Sequence, residues 1–291
     1  MIQPATQGQW DRRIRRANEL ISTYPFSAEG LRFYARVAEL QRGLCAGAAK
    51  VFANSPMQPA EYLPLREQLF NPLLLPKFPE FAAQIQQAAP EPLARAAEQL
   101  SRARREAQQL ALNDFLSGGL SFSPSPSESM DAEAELGDFS DSTARRLLAW
   151  LFLQPYAEFL AALVEPVKLD GTPPACPMCG SNPIVGVLRP EGDGGKKSLV
   201  CMLCAHEWAF RRIYCAACGE EREPQMGFYT APEIAHVRVD VCDSCHTYLK
   251  TVDLTKLGLA VPVVDELAAI PLDLWAREHG YQKLQINLLG A

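Results

Sequence analysis

The sequence predicts an α+β chain: an all-helical N-terminal domain, then two small tandem β modules that each hold a metal, then a C-terminal helix. Three observations carry that expectation. Between Trp10 and Leu163 apolar residues recur at helical spacing, with no strand-like alternation. Four CxxC pairs, holding eight of the nine cysteines, fall within the seventy residues from Cys176 to Cys245. Between and after those pairs, short segments alternate with period two.

The first helix is expected from about Trp10 to Tyr24, where Trp10, Ile14, Ala17 and Ile21 share a face and Arg12, Arg13, Arg15 and Arg16 are left to solvent. A second begins near Ser27, a good N-cap residue with Glu29 in the first turn, and runs to about Phe52. The lone Cys45 lies on it and reads as a small core residue, because no cationic neighbour is evident to activate it. Prolines at 56, 59, 64, 72, 76 and 79 allow only short helical pieces. Helical patterning returns over 79–88 and 90–116, with Arg102, Arg104 and Arg105 on a solvated face. Residues 118–143 carry six carboxylates, no lysine or arginine and the run SPSPSES, so a loosely packed loop is expected. A helix from about Asp141 to Phe152 follows, then one or two further turns after Pro155 as far as Pro166.

These readings divide the chain into a helical domain at 1–166, a Gly/Pro linker at 167–175, metal ribbons at 176–210 and 211–260, and a C-terminal helix and tail at 261–291. Strands are expected at PIVGVLRP, SLVC, EWAFRRIYC, MGFYT and HVRVDVC, with a hairpin turn at EGDGGKK and with TYLKTVDL extending the sheet or packing on it. Pro262 to Gly280 reads as an amphipathic helix kinked at Pro271.

The cysteines organise the C-terminal half. A CxxC pair wraps one tight turn around a metal, and two such turns complete a tetrahedral site. Eight thiolates from Cys176, Cys179, Cys201, Cys204, Cys215, Cys218, Cys242 and Cys245 therefore make two four-cysteine sites. The gaps inside the first two and the last two pairs are 21 and 23 residues, enough for a hairpin, whereas 10 residues separate the second pair from the third. Gly180 and Gly219 follow the first and third pairs, where a left-handed residue suits the turn, while Ala205 and His246 follow the others. Sequential pairing is therefore expected, with an interleaved arrangement as the alternative. Each unit reads as a small three-stranded ribbon, too small to fold without its ion. On this reading Cys176→Ser releases one ion and destabilises the ribbons while leaving the helical half folded.

Composition narrows the function classes. The formal net charge of -6 is spread evenly, with 20 acidic and 17 basic residues in 1–170 and 14 and 11 in 171–291. A divalent ion held by four thiolates adds about two further negative charges per site, so phosphate binding is disfavoured. The basic pairs Lys196-Lys197 and Arg211-Arg212 read as solvated strand ends. No apolar run approaches the ~20 residues of a membrane span, and MIQPATQGQWDRRIRR lacks a signal-peptide core, so a soluble, cytoplasmic protein with reduced thiols is expected. Four thiolates close a metal's coordination shell, and His206, His236, His246 and His279 are scattered, so no catalytic residues are expected.

CPMCGSNP, LVCMLCAHEW, RRIYCAACGE, VDVCDSCHTYLKTVD and PVVDELAAIPLDLWAREHGY together resemble the formate dehydrogenase accessory protein family, FdhE, over roughly the last 120 residues. The resemblance implies a cytoplasmic maturation factor that contacts the formate dehydrogenase catalytic subunit and is not itself an enzyme. It also implies rubredoxin-like sites able to hold iron. Spacing accepts iron and zinc alike; the family favours iron, which would add a redox role. The residues read by themselves also fit a protein-interaction module with Trp208, Tyr214, Phe228, Tyr229 and Tyr248 as contact or core aromatics. The alternative is a zinc-ribbon nucleic-acid-binding or transcription-related protein.

Overall fold

The computed structural model describes residues 4–53, 65–117, 141–164, 171–191 and 194–290. The acidic stretch 118–140, the prolines at 56, 59 and 64 and the start of the linker lie outside the described residues. Two helices, α1 (Pro4–Thr23) and α2 (Ala28–Phe52), form an antiparallel pair. Three short helices follow, α3 (Leu65–Gln68), α4 (Phe78–Gln86) and α5 (Glu91–Arg102), and then α6 (Arg105–Ser117) and α7 (Asp141–Ala161). The single helix expected over 90–116 is divided at Ala103, whose extended backbone ends α5. Gln108 stabilises that break by donating to the carbonyls of Leu100 and Ala103 at 2.9 and 3.1 Å.

Central α7 buries nearly every side chain from Leu147 to Leu160, and its aromatics Phe152 and Tyr156 meet Phe78, Phe81 and Phe52. It runs unbroken through Pro155, where the sequence reading placed an interruption. Proline in a helix interior costs ~3 kcal/mol because the carbonyl four residues earlier loses its donor. Here that carbonyl belongs to Leu151, and the buried Gln41 side chain of α2 donates to it at 2.8 Å. Burying Leu147, Leu148, Leu151 and Phe152 contributes roughly 1.5–3 kcal/mol each, which outweighs the remaining penalty. Gln41→Leu should therefore cost about 1–3 kcal/mol by stranding the Leu151 carbonyl, measurable as a lower urea midpoint.

The C-terminal half is a seven-stranded mixed sheet. β1 (Pro183–Glu191), β2 (Gly194–Cys201) and β3 (Glu207–Ala209) form one antiparallel meander. A second is made of β4 (Met226–Thr230), β5 (Val237–Cys242) and β6 (Thr247–Asp253). The two join through parallel pairing of β1 with β6, at Gly186↔Thr251, Val187↔Val252 and Leu188↔Asp253. Gly186 makes that approach possible, since a Cβ there would lie 2.2 Å from Thr251 Oγ1, which is itself tied to Asp240 Oδ2 at 2.7 Å. Gly186→Ala should consequently lose about 1–3 kcal/mol, seen as a lower thermal midpoint, because neither neighbour can yield without breaking the Asp240 bond. EWAFRRIYC supplies only the three residues of β3 before the chain turns away.

Two further helices cover the sheet, α8 (Pro262–Ala268) and α9 (Ile270–Glu278), divided at Ala269 where a single kinked helix was expected. Lys250 of β6 adds a second donor to two carbonyls at the break, its Nζ donating to the carbonyl oxygens of Glu266 at 2.6 Å and Ala269 at 3.4 Å, each of which also accepts a backbone amide. The negative end of α8 favours a cation there. A last short strand, β7 (Gln282–Lys283), runs parallel to β6.

One apolar cluster passes from the helices into the sheet, and α8 packs between α1, α2, β1 and β6. Several basic residues assigned to solvent are instead spent inside it. Arg13 is buried against Glu158, with Nη1 2.8 Å from Oε1. Arg16 grips Asp265 of α8 through Nε at 3.0 Å and Nη2 at 2.6 Å, and His236 Nε2 meets the same carboxylate at 2.8 Å. Lys197 is only 3% exposed and pairs with Asp240 at 2.7 Å. Arg13, Arg16 and Lys197 each have a buried acidic partner more than forty residues away in sequence, which is why local pattern assigned them to water.

Candidate metal centres

The eight cysteines come together in two groups, Cys176, Cys179, Cys201 and Cys204, and Cys215, Cys218, Cys242 and Cys245, the sequential grouping expected from their spacing. Within each group all four sulfurs lie within 4.8 Å of one another. Cross-pair Sγ···Sγ distances are 3.6 and 3.4 Å in the first group and 3.7 Å twice in the second. A tetrahedral ion with bonds of ~2.3 Å to sulfur needs edges of about 3.8 Å, whereas a disulfide needs ~2.05 Å, so the arrangement fits a metal cage.

Each cage is made of two knuckles, and all four knuckles share one backbone shape. The residue after each CxxC pair is left-handed: Gly180 at φ 71°, Ala205 at 52°, Gly219 at 77° and His246 at 53°. The alanine and histidine positions thus adopt the turn without glycine's help, at a steric cost of roughly 1–2 kcal/mol each, which supports a tightly constrained site. The turns are closed by amide bonds such as Gly180 N to Cys176 O at 2.8 Å and Gly219 N to Cys215 O at 3.0 Å. His206 contributes its carbonyl, which accepts from Cys201 N at 2.9 Å, and the His246 carbonyl accepts from Gln282 N at 2.7 Å, so both shape the knuckles through backbone.

Amides aimed at sulfur favour the thiolate form. In the first cage Met178 N points to Cys176 Sγ at 3.4 Å, and the amides of Leu203 and Cys204 point to Cys201 Sγ at 3.3 and 3.5 Å. In the second, Ala217 N points to Cys215 Sγ at 3.4 Å. Burial pushes the Cys201 and Cys215 thiols up, whereas bonds from neighbouring sulfurs, Cys176 first, hold Cys179 well down. Burial also opposes ionisation of Cys245, but the Thr247 hydroxyl and adjacent sulfurs outweigh it and lower its pKa. Full ionisation of four clustered thiols requires a cation among them, and the donor set offers nothing hard enough for magnesium or calcium.

The surroundings differ. The first cage lies at the junction with the helical body, where Trp150 Nε1 of α7 donates to Met202 O at 3.0 Å and Leu65 N donates to Met178 O at 3.2 Å. The second sits at the far end of the sheet with Cys218 exposed and Cys245 half-buried. Of the candidate aromatics, Trp208 and Tyr248 are core, Tyr214 is half-buried, and Phe228 and Tyr229 on edge strand β4 are exposed. The buried charged set beneath α8 and α9, Lys250, Lys283, Glu266 and Asp273, escaped the sequence reading; its only trace was a lysine in the middle of an apolar strand.

The family model described as "FdhE, central domain" matches residues 175–212, and "FdhE, C-terminal domain" matches 213–289. Residues 175–289 are thus FdhE domains. A protein FdhE homolog from Aquifex aeolicus is 35% identical over 116 residues, which are 40% of this chain and 41% of that protein. Another, from Shewanella oneidensis, is 31% identical over 172 residues, 57% of this chain and 56% of the relative. These sequence matches thus span about half or less of the relatives' length, whereas the crystal structure of the FdhE protein from Pseudomonas aeruginosa aligns end to end. It covers 99% of this chain and 97% of its own, with a TM-score of 0.68 and 26% identity. The helical half of this chain therefore shares the fold of that protein even where its sequence offers no sharp motif. Among the described residues no helix is long and apolar enough to cross a membrane.

Proposed function

We propose that this chain is a non-enzymatic cytoplasmic accessory factor for formate dehydrogenase maturation, which binds the catalytic subunit through a scaffold stapled by two metal ions. The observation that carries the reading is the pair of sulfur cages, each with its four sulfurs within 4.8 Å, in a chain whose C-terminal half matches both FdhE domains. Cys176, Cys179, Cys201 and Cys204 hold one ion and Cys215, Cys218, Cys242 and Cys245 the other. Bound iron would supply a one-electron couple, and bound zinc a redox-silent staple. Iron is favoured by the family resemblance.

The chain's own residues support a scaffold. Eight thiols leave no open position for water or substrate at either cage, as a catalytic metal requires. Exposed Phe228 and Tyr229 on the edge strand β4 offer apolar contact beside the second cage. The nucleic-acid alternative finds no support in the comparisons, and Arg13, Arg16 and Lys197 are committed to internal pairs.

Protein purified without oxygen should contain two ions per chain by metal analysis and should capture a formate dehydrogenase catalytic subunit in a manner tolerant of salt. Affinity for DNA or RNA that falls steeply with salt, with no capture of that subunit, would replace this reading with the nucleic-acid one.

A further inference from the structure

The two cages resemble each other in their sulfurs and knuckle backbones and differ in exposure and in what packs over them. At the first, Cys176, Cys179, Cys201 and Cys204 are all at most 3% exposed, as are Met202 and Leu203 between the second pair. Trp150 and Leu65 lie over the knuckles from the helical body, and the Ser181 hydroxyl, reached by Arg66, stands 3.2 Å from Cys179 Sγ. An incoming donor reaches those sulfurs only after the helices and the sheet part.

At the second, the knuckle residues Ala217, Cys218, Asp243 and Ser244 are exposed and Cys245 is half-buried. The bonds that hold these knuckles stay within the C-terminal half: Ser244 Oγ to Glu220 Oε2 at 2.7 Å, Asp243 N to Gln225 O at 2.9 Å and Tyr281 Oη, just past α9, to Asp243 Oδ1 at 2.6 Å. They fix the turn and leave Cys218 open. A small cavity reaches each cage, about 30 Å³ at Cys215 and Cys242 and about 40 Å³ at Cys201, so the difference between the cages lies in the exposure of Cys218 and Cys245 to solvent.

We propose that the two sites are kinetically differentiated: the first is an inert staple, and the second is an exchangeable centre at which a soft sulfur donor displaces Cys218 from the ion. This rests on the reading that both cages hold metal. In the exchange a bond forms between the incoming thiolate sulfur and the ion, and the bond to Cys218 Sγ breaks. The proton given up by the incoming thiol ends on Cys218, and no electron changes hands. The class of ligand follows from the ion's existing preference for thiolate and from the exposure of Cys218.

The test uses the full chain loaded with two zinc ions, with pyridylazoresorcinol as the reporter of released metal and N-ethylmaleimide as the thiol probe. Release should occur in two phases of one ion each, separated by at least about tenfold in rate because the first cage must await local opening of packed structure. Peptide mapping at the end of the fast phase should find Cys218 and Cys245 alkylated and Cys176, Cys179, Cys201 and Cys204 protected. Adding glutathione should accelerate the fast phase alone. Cys218→Ser should abolish that phase and leave the slow one. If this variant does not fold, the order of labelling in the unaltered protein decides. Release of both ions in one phase, or labelling of the first cage's cysteines together with Cys218, would overturn the proposal with the metal reading intact. A chain that takes up no zinc would overturn the metal reading itself, and the proposal with it.

Discussion

Lys250→Met should lower the stability of this protein by about 3–5 kcal/mol, the range expected when one member of a buried ion cluster is removed and its partners are left uncompensated. Lys250 is fully buried, as are Glu266 and Asp273, and Lys283 is 3% exposed on its side chain. Lys250 Nζ lies 3.0 Å from Glu266 Oε1 and bonds Asp273 Oδ2, while Lys283 Nζ lies 2.5 Å from Glu266 Oε1 and 3.1 Å from Asp273 Oδ1. Tyr248 Oη also donates to Asp273 at 2.9 Å, and Asn287 Nδ2 to Glu266 at 3.1 Å. Two cations thus balance two carboxylates beneath the helices. Methionine keeps the length of the lysine stem but leaves two carboxylates to one cation. Urea unfolding followed by circular dichroism measures the loss; a midpoint unchanged from the parent protein would show the cluster to be dispensable.

The same cluster sets a pH dependence. Burial pushes the Asp273 carboxyl up, but Lys250 and Lys283 more than offset it and hold it below its ordinary value of 3.8. A carboxyl that binds its proton less readily in the folded state than in the unfolded one stabilises the fold fully above about pH 4, and that contribution is lost as pH falls through the folded value. Asp240 beside Lys197 and Asp265 beside His236 and Arg16 are lowered likewise, against burial, and act in the same direction.

What could be read from the sequence was the chemistry that is local along the chain. CxxC spacing led to the cysteine groups because each knuckle is closed by its own backbone, and the helix at 28–52 and the first part of α7, 141–152, were legible from apolar periodicity. The left-handed turn at Ala205 and His246 was hidden because neither residue advertises positive φ; only the metal-cage geometry requires it there. Joining of the two meanders through β1 and β6 was hidden for another reason. Parallel pairing between strands some sixty residues apart leaves no trace in either strand beyond a glycine, Gly186, in an apolar run. Continuity of α7 through Pro155 likewise depended on Gln41, more than a hundred residues earlier.

Cys176→Ser should release one ion and cost about 4 kcal/mol or more, the range in which loss of a structural metal falls. The sequence alone suggested that the helical half would stay folded in that variant. The structure argues for a wider effect, because the knuckles of the first cage carry the contacts to that half: Leu65 N to Met178 O, two residues from Cys176, and Trp150 Nε1 to Met202 O, beside Cys201. When the cage opens, the Cys176 knuckle loses its anchor and those bonds lose fixed acceptors. Hydrogen exchange should therefore rise in the ribbon around 176–204 and also in the segment at Leu65–Leu69 and in the middle of α7, while the distant α1–α2 contact near Trp10 keeps its protection. Cys218→Ser should release the other ion and raise exchange around 215–246 and at Tyr281–Gln282 but not in the helical half, since among the described residues the bonds to its knuckles run to Glu220, Gln225, Tyr281 and Gln282. Unchanged exchange in α7 for Cys176→Ser, or an equal rise there for both substitutions, would show that the first cage has no special hold on the helical body.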